Sequence, residues 1–393
     1  MADSSISLKP RYEQMYLTLR NRFHSGEYTI GDKIPSEKEL MEQFEVSRIT
    51  SKKALDMLVQ DGYIVRQPGR GSFVIYNGDQ LEMIETEDGD KYDAPSRPRT
   101  DRNQIVLGLI MEDFSDSYGK EMLVEMERTA QKMGVYLMLR LSFSQTDIEE
   151  NAIRMLRDYG VDGLIIYPTR GQIFNSEILK LVIDRFPHVL VDRYVKGIDS
   201  TSISTDNVAA ASLGTHYLLD QGHRHIALLT SKVTDNVAIE ERIEGFVQAH
   251  AERGVVLDRS SWLTDMYWNS NQEEDEQVLV QHNVDMIQQM IEAHPQITAL
   301  FAMQYELALF AKEAIEHMGL HIPQDISIIC FDSPQASAAL YPFTHMQQDQ
   351  QSLGRLAIEN VLALIEGASL PSKISLQANL IHGHSVAEAS VHS

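Results

Sequence analysis

From residue 104 to 365, short apolar runs alternate with stretches of helical period, and this alternation most constrains what the chain can become. Residues 105–111 form a continuous apolar run, the mark of a strand buried on both faces of a parallel sheet. A helix is expected over 119–133, closed by Gly134, then a strand over 135–141 and a helix over 147–159. Strand 164–167, helix 176–185 and strand 189–191 continue the pattern. Ser204-Thr205-Asp206-Asn207 is read as opening a helix that runs to 221 and closes at Gly222. Strands over 226–229, 299–302 and 326–331 then alternate with helices over 239–253, 278–292, 305–318 and 354–365. Repeated strand–helix units imply an α/β fold with parallel sheets flanked by helices. About 280 residues exceed one compact core, so two lobes are expected.

Residues 35–73 carry a different pattern. Ser36 and Glu39 form an S-x-x-E capping box behind Pro35, which starts a helix through Leu40, Met41 and Phe44. Glu45 and Val46 make a turn, and Ser47 can cap a second helix whose Ala54, Leu55 and Leu58 face inward. Gly62 stops it. Arg48, Thr50, Lys52 and Lys53 crowd its first two turns. Donor-rich side chains at a helix N-terminus suit entry into a major groove, although a basic helix face is often simply solvated. Two β-prone runs, 63–65 and 72–75, flank Pro68-Gly69-Arg70-Gly71, and Arg66 and Arg70 charge the hairpin tip. Two helices followed by a basic hairpin make a winged helix-turn-helix, the expected DNA-reading head, with Arg70 within reach of a minor groove.

The net charge of −23 opposes general nucleic-acid affinity. Residues 1–76 hold 11 Lys and Arg against 10 Asp and Glu, a net +1, so the remaining −24 lies elsewhere. DNA binding must therefore come from local placement, with strong salt dependence. Residues 77–103 are rich in acids and poor in apolar side chains, as a tether would be. The single cysteine, Cys330, sits in a strand and excludes a disulfide framework. A polar N-terminus and the lack of a long apolar run point to a cytoplasmic protein without membrane contact.

Polar residues follow several strands: Asp113, Asp192-Arg193, Gln304-Tyr305 and Asp332. In open parallel sheets, ligands bind beyond the carboxyl ends of the strands. Carboxylates there can accept from adjacent hydroxyls of a polyol, and Phe114, Tyr305 or Trp268 can cover a sugar's C–H face. Each residue alone could equally cap a helix; their recurrence is what suggests a cleft. His223-Arg224-His225 and His382-Gly383-His384 place two rings on one strand face, but no third metal ligand stands nearby in sequence, so they are read as structural. Neither a G-x-S-x-G elbow nor a P-loop is present.

Two resemblances follow. Residues 10–76 resemble the DNA-binding domain of the GntR superfamily through Gly31-Asp32-Lys33-Ile34-Pro35-Ser36-Glu37, Val46-Ser47-Arg48, Ala54-Leu55 and Gly69-Arg70-Gly71-Ser72-Phe73. The resemblance implies DNA contacts at Lys38, Arg48, Lys52 and Gly69, beside the candidates Ser47, Thr50 and Arg70 read from the residues. Lys38 stands where arginine is usual, and Ser51 where a β-branched apolar residue is usual. Residues 104–388 resemble the effector domain of LacI/GalR repressors through Val161-Asp162-Gly163, Val191-Asp192-Arg193, Asp206-Asn207, Gly222-His223-Arg224-His225, Arg242-x-x-Gly245-Phe246 and Phe331-Asp332. That resemblance implies sugar contacts at Asp192 or Arg193, Arg242, Gln304, Asp332 and Gln348, with Asp113, Phe114 and Trp268 further candidates. Gln304-Tyr305 replaces the usual Asn-Asp, and Cys330 the usual glycine. A GntR-type head on such a domain resembles the arabinose repressor subgroup.

The expectation is a head over 1–76, a linker over 77–103 and an effector and dimerisation domain over 104–393. The function expected is a DNA-binding transcriptional regulator, most simply a repressor of sugar-utilisation genes relieved by a small sugar, a pentose such as arabinose first. Its partners are double-stranded operator DNA, the effector and a second copy. Neither cofactor nor metal is implied, and no enzymatic activity. The alternatives are a regulator with a non-sugar effector and a cytoplasmic solute-binding protein.

Overall fold

The computed structural model describes residues 11–24, 27–28, 31–44, 46–60, 63–67, 71–74, 104–169, 175–231, 236–266, 276–334 and 341–389. The chain divides into two compact units, Met1–Tyr92 and Asp93–Ser393.

The smaller unit holds α1 (Arg11–His24), α2 (Glu37–Phe44), α3 (Arg48–Gln60), β1 (Ile64–Gln67) and β2 (Gly71–Val74). The capping box forms as expected: Ser36 N donates to Glu39 Oε2 at 2.7 Å, and Glu39 N to Ser36 Oγ at 3.4 Å. Ser47 Oγ accepts from Thr50 N at 3.3 Å and so starts α3. Met15, Leu19, Leu40, Ala54, Leu58 and Ile64 close a small apolar core. Ser51, on the inner face of α3, is fully buried, with its Oγ 3.5 Å from Glu37 O. β1 and β2 pair antiparallel, and Lys33 bridges to Phe73. Gly71 has φ +113°, a backbone conformation that favours glycine, and a Cβ there would push the end of the Lys33 side chain, 2.6 Å away at Cε, aside. Gly62, Gly69 and Arg70 lie outside the described residues.

The larger unit contains two six-stranded sheets. The first lobe is built from β3 (Val106–Met111), α4 (Lys120–Met133), β4 (Tyr136–Leu141), α5 (Thr146–Tyr159), β5 (Gly163–Ile166), α6 (Ser176–Ile183), β6 (His188–Val191) and β7 (Ser202–Thr205). The chain then crosses into α7 (Asn207–Asp220), β8 (Ile226–Ser231), α8 (Val237–Glu252), β9 (Trp262–Met266), α9 (Glu276–Ala293), β10 (Ala299–Ala302), α10 (Tyr305–His317), β11 (Ser327–Phe331) and β12 (Thr344–Gln347) of the second lobe. It returns as α11 (Gln350–Ile365) and β13 (Lys373–Leu376), and crosses again to β14 (Asn379–Ile381). The strand orders are β13-β7-β6-β5-β3-β4 and β14-β12-β11-β10-β8-β9, the same winding twice. All pairs are parallel except β12 with β14.

Apolar clusters cover both faces of each sheet. α7 packs into the second lobe's core and α11 into the first's, so each helix belongs to the lobe its preceding strand does not. Gly245 lets α8 lie against α7: a Cβ there would stand 2.1 Å from Val208 O. Several element bounds differ from the sequence expectation. Ser202–Thr205 is a strand, so the helix opens at Asn207, not Ser204. α11 begins at Gln350, four residues earlier than expected, because Asp349 caps it through Ser352 N at 2.9 Å. β9, β12, β13 and β14 carry no continuous apolar run and were not expected. No helix among the described residues is long and apolar enough to cross a membrane.

Candidate effector cleft and nucleic-acid face

The strand ends of the two lobes meet across an open cleft. Asp113, Asp192, Arg193, Arg242, Gln304, Tyr305, Asp332 and Gln348 all line it, as the sequence suggested. Asp192 follows β6, and Asp332 follows β11, the strand in the same place of the other lobe's winding. The backbone amide of Asp192 donates to Ile203 O of β7 at 2.8 Å, and that of Asp332 to Met346 O of β12 at 2.9 Å. Both residues are left-handed, at φ 69° and 59°. Such a conformation is uncommon outside glycine and least costly for Asp and Asn. The two lobes thus present one carboxylate each by the same device.

Each carboxylate has a built environment. Tyr118 Oη donates to Asp192 Oδ1. Gln348 holds Asp332 twice, from Nε2 to Oδ2 at 2.5 Å and from N to Oδ1 at 3.2 Å. Burial pushes the Asp332 carboxyl up to about 7, against the opposing pull of the Arg242 charge and the Gln348 bonds. Burial and the neighbouring Asp192 charge hold the Tyr118 hydroxyl well above its ordinary value.

Two buried guanidinium groups complete the cleft. Arg193 donates to Pro168 O at 2.9 Å, Glu112 Oε2 at 2.8 Å and Tyr167 Oη at 3.0 Å. Burial works against its charge, but Glu112, Tyr167 and Asp192 outweigh that and shift the group upward. Its Nε lies 3.3 Å from Asp192 Oδ2 but is not aligned for a hydrogen bond. Arg242 donates to Asn207 Oδ1 at 2.9 Å and Met303 O at 2.6 Å, and its guanidinium lies 3.8 Å from the centre of the Phe331 ring. Burial lowers its affinity for the proton, with Asp332 opposing. Gln304 Oε1 and Tyr305 Oη are buried without a hydrogen-bond partner among the described residues. Buried polar atoms left open at a cleft wall are positions where a polar ligand finds partners.

Phe114 does not join the lining. Ser115 N bonds Tyr118 O at 2.8 Å, curling residues 115–118 so that Tyr118 points in while Phe114 stays 41% exposed. Trp268 lies outside the described residues. Tyr118, Tyr167, Asn236 and Glu306 line the cleft without having been singled out. Glu306 follows the expected Tyr305 in the first turn of α10, which was a usable signal; Tyr118 depends on the loop's curl, which no local pattern encodes. His223 has its ring nitrogens 2.9 Å from Thr298 Oγ1 and 3.1 Å from Ala387 O, a structural placement.

On the smaller unit, Lys38, Ser47, Arg48 and Lys52 are exposed and Thr50 half-buried. Arg48 is 83% exposed, with Nε 3.4 Å from Glu37 Oε1. The Ser47 and Thr50 hydroxyls bond each other at 2.8 Å. Lys53 sits 4.0 Å from the centre of the Tyr12 ring, so it braces α1 against α3.

Comparison with known proteins places this geometry. Residues 11–74 match the gntR family of bacterial regulatory proteins, and residues 215–386 the periplasmic binding protein-like domain. The chain therefore joins a GntR-type winged head to a periplasmic-binding-protein-like domain, and its relatives are transcriptional regulators of the arabinose-repressor and LacI/GalR kinds. The arabinose metabolism transcriptional repressor of Halalkalibacterium halodurans is 25% identical over 392 residues, spanning 97% of this chain and 98% of that one. Its namesake from Geobacillus stearothermophilus is 26% identical over 92% of this chain and 93% of its own. Among solved structures, the transcription regulator CcpA of Lactococcus lactis shares the fold with a TM-score of 0.62 and 19% identity, over 72% of this chain and 99% of that one.

Proposed function

We propose that the protein is a repressor of sugar-utilisation genes whose operator binding is relieved by a small neutral sugar in the cleft, a pentose such as arabinose first. The observation that carries this reading is the matched pair Asp192 and Asp332, set left-handed at equivalent strand ends across the cleft. With Asp113 and Glu306 the lining holds four carboxylates against two arginines, and Arg193 is already paired with Glu112. That balance favours hydroxyl donors over a phosphate. The open Gln304 Oε1, Tyr305 Oη and Arg193 Nε add polar positions around a ring. Two relatives named for arabinose metabolism support the pentose.

In this reading Arg48, Lys52 and Lys38 face operator DNA, with Ser47, Thr50, Gly69 and Arg70 beside them. Domain limits at 76 and 104 remain part of the proposal, as do a cytoplasmic location and the absence of turnover. A homodimer would present two heads to a two-fold operator. The edge strand β4 supports it: Tyr136 is 56% and Leu139 40% exposed on a strand whose outer edge pairs with no other described strand. The test is thermal unfolding of the protein against pentoses, hexoses and phosphosugars, with Asp332→Ala as control. A sugar at about 100 times its Kd stabilises by about 2.7 kcal/mol. A pentose that shifts the wild type but not the variant supports the reading; a shift only with phosphosugars overturns it. A footprint on operator DNA separates a regulator from a solute-binding protein.

A further inference from the structure

One residue away from each cleft arginine in the chain, the two lobes touch. Tyr194 follows Arg193 in the first lobe, and Glu241 precedes Arg242 on α8 of the second. Tyr194 Oη donates to Glu241 Oε1 at 3.2 Å, and Lys373 Nζ, at the start of β13 in the first lobe, reaches the same oxygen at 3.0 Å. Lys373 also lies 4.7 Å from the centre of the Tyr194 ring. Beside them Lys196 Nζ meets Glu240 Oε2 at 2.5 Å. The other Glu241 oxygen accepts from Asn207 Nδ2 at 3.4 Å. Asn207 in turn accepts from Arg242 Nε at 2.9 Å and donates to Thr205 O at 3.2 Å, at the first crossing between lobes.

We propose that Glu241 is a positioning residue for effector binding: it clasps the lobes closed through Tyr194 and Lys373 and, through Asn207, holds Arg242 against the cleft. The proposal deepens the effector reading and rests on it for the role of Arg242. The clasp itself stands on the contacts alone. Every partner of Glu240 and Glu241 named above except Asn207 belongs to the opposite lobe, so opening the cleft breaks these bonds together. A lone exposed ion pair contributes little. Glu241, however, has its side chain only 14% exposed and serves three donors at once, where screening is reduced. The clasp also accounts for a basic residue at the start of β13, an element with no place in the cleft.

The test reads lobe separation directly. Spin labels at Asp116→Cys and Leu309→Cys, exposed positions on opposite lobes, report the distance distribution of the full chain by pulsed electron resonance. Cys330 is buried and stays unlabelled. Without any ligand, Glu241→Lys should raise the ratio of long to short distances at least roughly fivefold, because attraction to Lys373 becomes repulsion. Lys373→Glu in the same chain should bring the distribution back toward wild type. Unfolding midpoints of the two variants must match the wild type within about 3 °C, a change a merely structural role would exceed. A distribution unchanged by Glu241→Lys, or an equal shift in the double variant, overturns the clasp. L-arabinose titration of the same proteins separates the two ideas. If wild type fails to bind it while the distances move and recover, the pentose reading fails and the clasp stands. If wild type binds, Glu241→Lys should weaken binding in proportion to the lost closed population.

Discussion

Asp332→Asn should make the protein more stable at alkaline pH while removing a cleft carboxylate. Asp332 is 5% exposed, and burial raises its carboxyl from the ordinary 3.8 to about 7. A carboxyl raised on folding contributes stability that is full below the unfolded value and is lost as pH rises through the folded one. From 3.8 to about 7, at about 1.4 kcal/mol per pH unit, the wild type loses about 4 kcal/mol. Asparagine tolerates the φ of 59° and keeps the acceptor facing Gln348 N, but turns a donor toward Gln348 Nε2, which costs about 1 kcal/mol. The variant should therefore stand near parity at pH 5 and ahead by about 3 kcal/mol at pH 8. Urea unfolding followed by tryptophan fluorescence is the assay, since both tryptophans, Trp262 and Trp268, lie in the larger unit. A difference between the two proteins that is the same at pH 5 and pH 8 refutes the reasoning. So does a variant less stable than wild type at pH 8.

Glu149→Gln should likewise flatten the pH dependence between 5 and 8. Glu149 is 1% exposed and is pushed to about 7 by burial, against bonds from Thr169 N and Asn175; the same urea series checks it. Arg48→Ala should weaken specific operator binding by about 1–3 kcal/mol and lower the salt slope, with sugar binding unchanged; electrophoretic shifts at two salt concentrations and a sugar titration read both. Gly245→Ala should destabilise the larger unit by at least about 1–3 kcal/mol, because its Cβ meets the carbonyl of Val208 rather than a movable side chain; calorimetry of the full chain reads it, and an unchanged transition refutes the close approach of α7 and α8.

What could be read in the sequence was what local chemistry determines. β3 is apolar and buried at all six positions, so its run announces a strand. β7 is buried at all four positions too, yet reads Ser-Ile-Ser-Thr. Two of its three polar side chains have specific partners, Ser202 Oγ to Ser372 O at 3.0 Å and Thr205 Oγ1 to Gln348 Oε1 at 2.7 Å, while Ser204 Oγ has none among the described residues. Such a strand carries no hydrophobic signature, because its burial is made possible by bonds formed with residues more than a hundred positions away. Acids placed directly after strands were legible as cleft residues, since strand polarity fixes which end faces the ligand. Phe114 and Tyr118 were not separable in the same way, because a single turn decides which of them faces inward. Ser51 stands where the GntR resemblance puts a β-branched apolar residue; it is fully buried, with its Oγ 3.5 Å from Glu37 O.

The doubled winding makes the proposed ligand binding and the closing of the lobes one event. The chain leaves β7 and β12 at corresponding points and enters the opposite lobe through Asp206–Asn207 and Gln348–Asp349. Two of those four residues also anchor the cleft side chains: Asn207 holds Arg242, and Gln348 holds Asp332. Thr205 joins the two crossings by its bond to Gln348 Oε1. A ligand that draws Asp332 and Arg242 together therefore acts on the segments that must twist when the lobes close, with no intervening relay. The differential affinity of the open and closed lobes for the ligand sets the size of any response, and linkage makes it reciprocal: the factor by which the ligand changes operator affinity is the factor by which the operator changes ligand affinity.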